Sequence, residues 1–229
     1  MFWQEDEDKT LPFIAPDDVL DVSFAMQAKR LPLDHAWLLS QALQQHLPWL
    51  IHEPLAGIHT IHVAESGNGW ERPDDAQHQW LLPSKRTRLM LRIPKTRLET
   101  VRELTGKTLQ LDDCRLQVGD MKTKPFTNAA VLFARYVVSS ATESEPEFLQ
   151  RMAQDIKQVA DFKVKKMMCG KTYQLHTPAA PLVTRHLMIA DLDNDASIRL
   201  QQYGLGGAHL MGCGLLLPHK SIKTLKPTE

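Results

Sequence analysis

The sequence predicts an α+β protein built from two tandem ferredoxin-like units, each with the strand and helix order βαββαβ. Two observations predict this fold. Short apolar or alternating runs typical of strands recur along the chain, with segments of helical periodicity between them. The order seen in the first half then repeats in the second half of the 229 residues, a length that can hold two small domains.

The first unit contains four predicted strands and two predicted helices. Pro48 should end the first helix, because proline lacks an amide hydrogen and its ring clashes with the preceding turn. Pro94 suits the first position of the second helix, where no amide hydrogen is needed. In chain order the elements are a strand at 19–29, a helix from His35 to Leu43 with Asp34 as its N-cap, strands at 58–63 and 88–93, a helix from Leu98 to Leu104, and a strand or hairpin at 108–118.

The second unit repeats this order. Its first helix is amphipathic, with Phe148, Met152 and Ile156 on one stripe. Asp193 or Asn194 is a suitable N-cap for the second helix. The predicted elements are a strand at 130–139, a helix at 145–160, strands at 162–168 and 185–192, a helix from Ile198 to Tyr203, and a strand at 213–217.

The composition is that of an ordinary globular protein. Lysine and arginine together number 27, as do aspartate and glutamate, so no overall basic field points to nucleic acid. The first 21 residues carry seven acidic residues and one lysine, which leaves the remainder net basic. No signal-peptide pattern or membrane-spanning apolar run is present. Three widely spaced cysteines fit a reducing compartment. We therefore expect a cytoplasmic protein with no membrane partner.

These patterns predict three segments: an acidic N-terminal extension at 1–17, an N-terminal ferredoxin-like domain at 18–122, and a C-terminal ferredoxin-like domain at 123–229. The last of these includes a glycine-rich loop, with five glycines between Gly204 and Gly214, followed by an apolar run. Glycine lets backbone amides approach a phosphate closely, so the loop suits an RNA backbone. A tight structural turn is the alternative interpretation.

Several motifs in a fixed order point to one family. They are LPLDH at 31–35, LPWLIHE at 47–53, GIH at 57–59, GNGW at 67–70, SIRLQQYGLG at 197–206 and MGCGLLLPHK at 211–220. With them, nearly all of residues 18–220 resembles the CRISPR-associated endoribonucleases of the sixth Cas family, in the RAMP superfamily. The Myxococcus-type subfamily is the most similar.

The resemblance implies paired ferredoxin-like domains and a metal-independent endoribonuclease without a cofactor, which cuts precursor CRISPR RNA within its repeats. In that reaction the ribose 2′-OH attacks the adjacent phosphate and leaves a 2′,3′-cyclic phosphate and a 5′-OH. The implied partners are the CRISPR repeat RNA with its stem-loop and subunits of a CRISPR effector complex, to which the retained product passes. The alternative is a non-catalytic subunit of such a complex that binds repeat RNA.

Histidines are the candidates for proton transfer, because their free pKa of ~6.5 suits either role near neutrality. His52 resembles the family's catalytic histidine after the first helix, with a surface loop histidine as the alternative. His46 is the second candidate, at the end of that helix, where the helix dipole favours imidazolium. His35 is the third, for which packing or capping competes with catalysis. His59 and His62 are more simply explained as structural histidines.

The sequence departs from the family pattern at two points. Trp37 stands in the region where parts of the family place a tyrosine, and no lysine lies between Arg30 and Lys85. The second proton-transfer group and the phosphate-stabilising lysine therefore have no candidate. No metal site is predicted, since His59 and His62 would point to opposite faces of a strand and no HExxH or paired CxxC motif occurs.

Basic residues and glycines are predicted to contact RNA, and each cation would add a salt-dependent increment to the affinity. A solvated surface charge is the alternative for each cation. The candidates of the second unit are Gly204, Gly206, Gly207, Lys165, Lys166, Arg199, His219 and Lys220. In the first unit, Arg86, Arg88 and Arg92 are candidates for tracking the repeat stem. An unrelated RNA-binding protein of the same fold ranks last, because the usual aromatic stacking sequence is absent.

Overall fold

Residues 15–63 and 80–219 are described by a computed structural model in which two antiparallel sheets each carry helices on one face. The first unit consists of β1 (Val19–Gln27), β2 (Leu31–Pro32), α1 (Ala36–His46), β3 (Gly57–Ile58), β4 (Trp80–Leu81), β5 (Arg88–Pro94), α2 (Leu98–Arg102), β6 (Thr108–Leu111) and β7 (Cys114–Lys124). Its main sheet has the order β3–β5–β1–β7–β6, and β2 pairs separately with β4. Short 3-10 helices lie at Pro48–His52 and Lys95–Arg97.

The second unit has the same plan. It consists of β8 (Val131–Val138), α3 (Glu145–Ala160), β9 (Lys166–Leu175), β10 (Leu182–Ala190), α4 (Asn194–Tyr203) and β11 (Leu217–Pro218), with a 3-10 helix at His209–Met211. The sheet order is β11–β8–β10–β9. In each unit the first and third strands of the βαββαβ series are neighbours at the centre of the sheet. This arrangement confirms the predicted fold class.

Helix α3 forms where the sequence predicts it, because both its start and its apolar stripe are strongly specified. Ser144 and Glu147 form a capping box: the Ser144 amide donates to the Glu147 carboxylate at 2.8 Å, and the Glu147 amide donates to the Ser144 hydroxyl. Phe148, Met152 and Ile156 are fully buried against the sheet. The N-cap of α4 is Asp193, whose carboxylate accepts the Ala196 amide at 2.8 Å.

The prediction of Asp34 as the N-cap of α1 is wrong. The helix starts at Ala36 after His35, and no side chain caps it. Asp34 instead accepts the backbone amide of His176 at 2.8 Å, across 142 residues of sequence. The carboxylate thus ties the start of α1 to the loop that follows β9 in the second unit.

Three predicted strands differ from the observed ones for local reasons. The strand predicted at 58–63 pairs only at Gly57–Ile58, since the Ile61 amide turns away to donate to the His35 ring. The strand predicted at 162–168 begins four residues later, after Asp161 ends α3 in the left-handed conformation with φ of 51°. The strand predicted at 213–217 is reduced to β11, since the chain turns at Gly214 before it reaches the sheet.

Each unit has its own apolar core on the helix side of its sheet. Val22, Phe24 and Leu91 are fully buried in the first core, and Leu132 and Leu187 in the second. A third, smaller cluster joins the units. It contains Ala36 of the first unit and Tyr136, Leu175, Met211 and Cys213 of the second. The domain limits at 17/18 and 122/123 remain predictions.

A buried ionic cluster lies on the other face of the first sheet. Arg92 of β5 donates to both carboxylate oxygens of Asp21 on β1, at 3.0 and 3.4 Å, and His59 donates to the same carboxylate at 3.2 Å. Arg92 and Asp21 are 1% and 2% exposed. Burial alone would raise the pKa of Asp21, but the charges of His59 and Arg92 outweigh it and hold that pKa well below its usual range.

Arg92 also bonds to the second unit. Its guanidinium donates to the Leu216 carbonyl at 3.1 Å and lies over the ring of Phe126, 4.8 Å from the centroid. The suggestion that Arg92 follows the repeat stem with Arg86 and Arg88 is therefore wrong for this residue, because its side chain is buried between the units. None of the described helices has the length and apolar composition that a membrane span requires.

Replacing Arg92 with methionine should destabilise the protein by about 3–5 kcal/mol, because it leaves the Asp21 carboxylate buried with its main partner removed. Chemical denaturation at pH 7 measures the change. Arg86→Met removes an exposed guanidinium and should stay within about 0.5 kcal/mol of the wild type. Equal unfolding free energies for the two variants would contradict a stabilising role for the cluster.

Candidate functional site

The glycine-rich segment, Gly204–Gly214, runs from the end of α4 to the strand β11 and packs against the first unit. A methyl group at Gly212 would lie 2.8 Å from Thr60 Cγ2 and 3.1 Å from the Ile58 carbonyl oxygen. A methyl group at Gly57 would lie 2.6 Å from Leu215 Cδ2. Hydrogen atoms at these two positions let β3 and the glycine-rich segment approach closely.

Gly214 fixes the shape of the segment. Its φ is +66°, and a methyl group there would overlap the Leu205 carbonyl oxygen. The Gly214 carbonyl accepts the Leu205 amide at 3.0 Å, and the Gly214 amide donates to the Tyr136 carbonyl at 2.6 Å. The segment is therefore a closed loop anchored to β8, and the structural-turn interpretation applies to this glycine.

The predicted RNA-contacting glycines differ in their availability. Gly204 is buried, and its amide already donates to the Leu200 carbonyl at 3.0 Å. Gly206 and Gly207 are exposed. Among residues 15–63 and 80–219, no backbone carbonyl accepts a hydrogen bond from either amide. Only these two glycines present backbone donors at the surface of the loop.

His209 is a residue of this loop that the sequence analysis did not single out. Its Nε2 lies close to Gly204 and Gly214, since methyl groups at those positions would be 3.0 and 3.1 Å from it. Burial lowers the pKa of His209, the Arg92 charge lowers it further, and a hydrogen bond to the backbone of Leu205 opposes both. Its Nε2 atom is buried, with no hydrogen-bond partner in the described part of the chain. Its position within the glycine motif was the available sequence signal.

His35 lies at the start of α1, where the two units meet. Its ring is 3% exposed, its Nδ1 lies 3.0 Å from the Pro32 carbonyl oxygen, and its Nε2 accepts the Ile61 amide at 2.8 Å. These bonds fix the tautomer, with the proton on Nδ1. The geometry is that of a buried structural histidine, which is the packing role weighed for His35 from the sequence.

His46 and His52 are both exposed. His46 is the last residue of α1, ten residues and about 15 Å along the helix from the contact at Ala36. His52 ends the 3-10 helix that follows, next to Glu53, whose carboxylate accepts from Arg97 at 3.3 Å. Both rings are accessible to a large substrate, but the structure does not gather them with His35 into one cluster.

The two remaining histidines of this region also have defined partners. His59 belongs to the buried cluster with Asp21, and His62 is exposed with its Nε2 3.0 Å from the Thr60 hydroxyl. The structural role expected for His59 matches its burial. Neither histidine adds an unpaired group to the surface around His52.

The predicted basic contacts are spread over the second unit. Lys165 and Lys166 are exposed at the start of β9, and Lys166 pairs with Asp191 at 2.9 Å. Arg199 is exposed on α4, on the helix side, where its charge lowers the pKa of Asp161 after the larger effects of Lys157. His219 is exposed beside Phe133. Lys220 lies outside the described residues.

An aromatic surface, made of Phe133, Tyr173 and His186, lies on the face of the second sheet opposite the helices. Tyr173 and His186 stack with ring centroids 4.5 Å apart and an angle of 14°, and Phe133 meets His186 edge to face at 5.5 Å. Met168 beside them is 61% exposed. These rings come from three strands, so no contiguous sequence motif predicts that they lie together. Aromatic side chains on such a sheet can stack on unpaired bases.

The structure offers three separate features, which are exposed amides in the glycine loop, accessible histidines at the end of α1 and of the following 3-10 helix, and an aromatic surface on the second sheet. The amides can donate to phosphate oxygens, and a histidine can transfer a proton near neutral pH. This combination suits the binding and cleavage of an RNA strand.

Comparisons with known proteins agree with this geometry. The family model described as "Cas6 Crispr" matches residues 20–221, which include both sheets and the glycine-rich segment. A CRISPR-associated endonuclease Cas6 from Myxococcus xanthus (strain DK1622) is 27% identical over 199 residues, which cover 87% of this chain and 81% of that protein.

Two solved structures are similar in fold. The product of a Cas6-related gene from Pyrococcus furiosus has a TM-score of 0.61 at 11% identity, over 89% of this chain and 100% of that one. A RAMP protein that binds different RNA substrates has a TM-score of 0.57 at 11% identity, over 86% of this chain and 98% of that one. At such identities the likeness establishes the shared fold.

Gly214→Ala should destabilise the protein by at least about 2 kcal/mol, because the new methyl group overlaps a carbonyl oxygen at a positive φ. Gly207→Ala is the matched control, since nothing lies within 4 Å of a methyl group there and its φ is not positive. Thermal or chemical denaturation compares the two. A Gly214→Ala protein as stable as the Gly207→Ala protein would show that the loop has another conformation.

His186 should make the protein less stable in acid. Burial, with a smaller effect of the Arg135 charge, lowers the pKa of His186 to about 4. As the pH falls below about 6.5, His186 becomes protonated in the unfolded chain but stays neutral in the folded one. The free energy of unfolding therefore decreases progressively down to about pH 4. His186→Phe keeps a stacking ring but cannot be protonated. Between pH 7 and 4.5 its free energy of unfolding should therefore fall by on the order of 1 kcal/mol less than that of the wild type, a figure that allows for solvent screening. Equal losses for the two proteins would contradict the lowered pKa.

Proposed function

Because the chain belongs to the Cas6 family, we propose that it is an endoribonuclease that cuts precursor CRISPR RNA within its repeats. The observation that carries the proposal is the extent of the family match, which runs from β1 to the end of the described second unit and includes the glycine-rich segment. The similar Myxococcus xanthus protein is itself an endonuclease, and it aligns with 87% of this chain.

The proposed reaction needs no metal ion. The 2′-OH of one nucleotide attacks the adjacent phosphorus, the bond to the 5′-oxygen of the next nucleotide breaks, and the products carry a 2′,3′-cyclic phosphate and a 5′-OH. One group must accept the 2′-OH proton and another must supply a proton to the leaving oxygen. Hydrogen-bond donors must also face the phosphate as its negative charge develops.

His52 is the first candidate for proton transfer and His46 the second. Both side chains are exposed at the end of the α1 region, so an RNA strand can reach them. His35 is the weakest of the three candidates, because its ring is buried and both of its nitrogens already have backbone partners. In this proposal His35 shapes the junction by holding Ile61.

Contact with the RNA strand that is cut is assigned to the glycine loop and basic residues of the second unit. The exposed amides of Gly206 and Gly207 supply donors for phosphate oxygens, and the charges of Lys165, Lys166 and Arg199 add electrostatic attraction. His219 extends the aromatic surface beside Phe133. We further propose that the protein acts in the cytoplasm and retains the product stem-loop for a CRISPR effector complex.

A second candidate function is a non-catalytic subunit that holds repeat RNA. It is favoured by the absence of a tyrosine from the sequence of α1, where Trp37 stands, and by the absence of lysine between Arg30 and Lys85. The two functions differ in one measurable property, which is the dependence of cleavage on a histidine.

An end-labelled repeat RNA incubated with the protein in excess EDTA should be cut once. A 2′-deoxy sugar at the cut should abolish cleavage without weakening binding, because the attacking hydroxyl is lost. His52→Ala, or failing that His46→Ala, should lower the cleavage rate at least about 100-fold while the Kd for RNA changes less than about twofold.

His176→Ala is the matched control, since it removes another exposed histidine. It should cut at the wild-type rate. Tight binding without cleavage by any of these proteins would contradict the nuclease and support the RNA-holding subunit. A cut that requires a divalent metal would contradict the proposed chemistry.

A further inference from the structure

A groove of about 600 Å³ lies on the first unit, away from the glycine-rich segment. It is formed by the end of β1, the loops before β2 and β5, the start of β6, and β7. The glycine-rich segment contacts β3 at one edge of the sheet, whereas β7 and β6 lie three and four strands away. At a strand spacing of ~4.8 Å, the groove is about 14–19 Å from that edge.

Three cations line this groove: Lys29, Lys85 and Arg115. All three side chains are exposed, and the described residues of the lining include no aspartate or glutamate. We call this surface the basic groove. Lys85 directly precedes Arg86 in the sequence, whereas Lys29 and Arg115 come together in the groove through the pairing of β1 with β7.

The pairing state of these cations sets them apart from their neighbours. Arg30 pairs with Asp113 at 2.5 Å and lies 3.8 Å over the Trp80 ring, and Arg97 pairs with Glu53. Lys29, Lys85 and Arg115 make no ion pair with any described carboxylate. Three like charges around one groove repel each other, and a bound polyanion relieves that repulsion.

The other lining residues indicate which polyanion fits. Gln27, Gln117, Ser84 and Thr108 add amide and hydroxyl groups, and no aromatic side chain is found among the lining residues that the structure describes. Surfaces for single strands combine cations with aromatic rings on which bases stack, whereas double-stranded RNA is recognised through its phosphates and 2′-hydroxyls. The aromatic surface of the second unit therefore suits a single strand, and the basic groove suits a double-stranded stem.

We propose that the basic groove binds the phosphate backbone of the base-paired stem of the RNA substrate. The inference rests on the proposed function for the identity of that RNA. It assigns the stem to the first unit and leaves the strand that is cut to the glycine loop and the histidines. The groove positions substrate and takes no part in the chemistry.

The test is the salt dependence of binding to a repeat hairpin that carries a 2′-deoxy sugar at the cut. Lys29→Gln/Lys85→Gln/Arg115→Gln should lower the hairpin affinity at least about tenfold and reduce the slope of log Kd against log salt by about 2–3. A strand of the same length with its stem sequence disrupted should bind the variant and the wild type equally. Arg102→Gln/Lys157→Gln/Lys163→Gln removes the same number of exposed cations elsewhere and should leave the hairpin affinity unchanged.

Three outcomes overturn the inference: a variant that binds the hairpin like the wild type, an equal loss in the control variant, or an equal loss for the disrupted strand. Cleavage of the all-ribose hairpin at saturating protein separates this result from the nuclease proposal, because the groove variant keeps every candidate catalytic residue. If the wild type never cuts but the groove variant loses affinity for the hairpin alone, the nuclease proposal is rejected and the stem-binding role of the groove is retained.

Discussion

Arg92 is bonded to both halves of the molecule, and much of the arrangement depends on that one side chain. Its guanidinium is almost completely buried, so each bond it makes offsets the cost of removing the charge from water. Asp21 supplies two acceptors from the neighbouring strand, and the Leu216 carbonyl supplies a third from the second unit. Since Leu216 lies two residues after the glycine-rich segment, the bond to its carbonyl fixes the position of the loop relative to the first sheet.

This constraint explains why small residues are concentrated at the junction. Gly57 and Gly212 have no side chains where β3 meets the loop, and Gly214 adopts a conformation that no other residue would accept there. A close approach is required for Arg92 to reach the Leu216 carbonyl. The sequence suggested that the glycines of this segment bind phosphate. In the structure some of them allow the segment to approach β3 closely, whereas Gly206 and Gly207 face outward.

Much of the fold could be predicted from the sequence, because periodicity and capping are local signals. The α3 helix has a capping box and a four-turn apolar stripe, and its limits agree with the prediction. Asp34 was assigned wrongly because its partner, the His176 amide, lies 142 residues away. The lengths of β3 and β11 were overestimated because β3 ends where the Ile61 amide donates to the His35 ring, and β11 begins only after the turn at Gly214.

The candidate site was less predictable, for reasons that lie in the sheet geometry. Phe133, Tyr173 and His186 come from three strands and share a face only through the register of β8, β9 and β10, which shifts between Arg185 and Leu187. The basic groove is likewise assembled from distant segments. The exposed histidines His46 and His52 were found from the resemblance to the family, and their spacing in the sequence did not reveal that His35 is buried apart from them.

The 124 residues between Arg92 and Leu216 have a consequence for synthesis on the ribosome. At about 5–20 residues per second, the Leu216 carbonyl that accepts from the guanidinium emerges roughly 6–25 s after the arginine does. During that interval the Arg92 guanidinium stays hydrated on the face of the first sheet that the second unit later covers. Docking of the second unit therefore displaces water from a cation that is already bonded to Asp21.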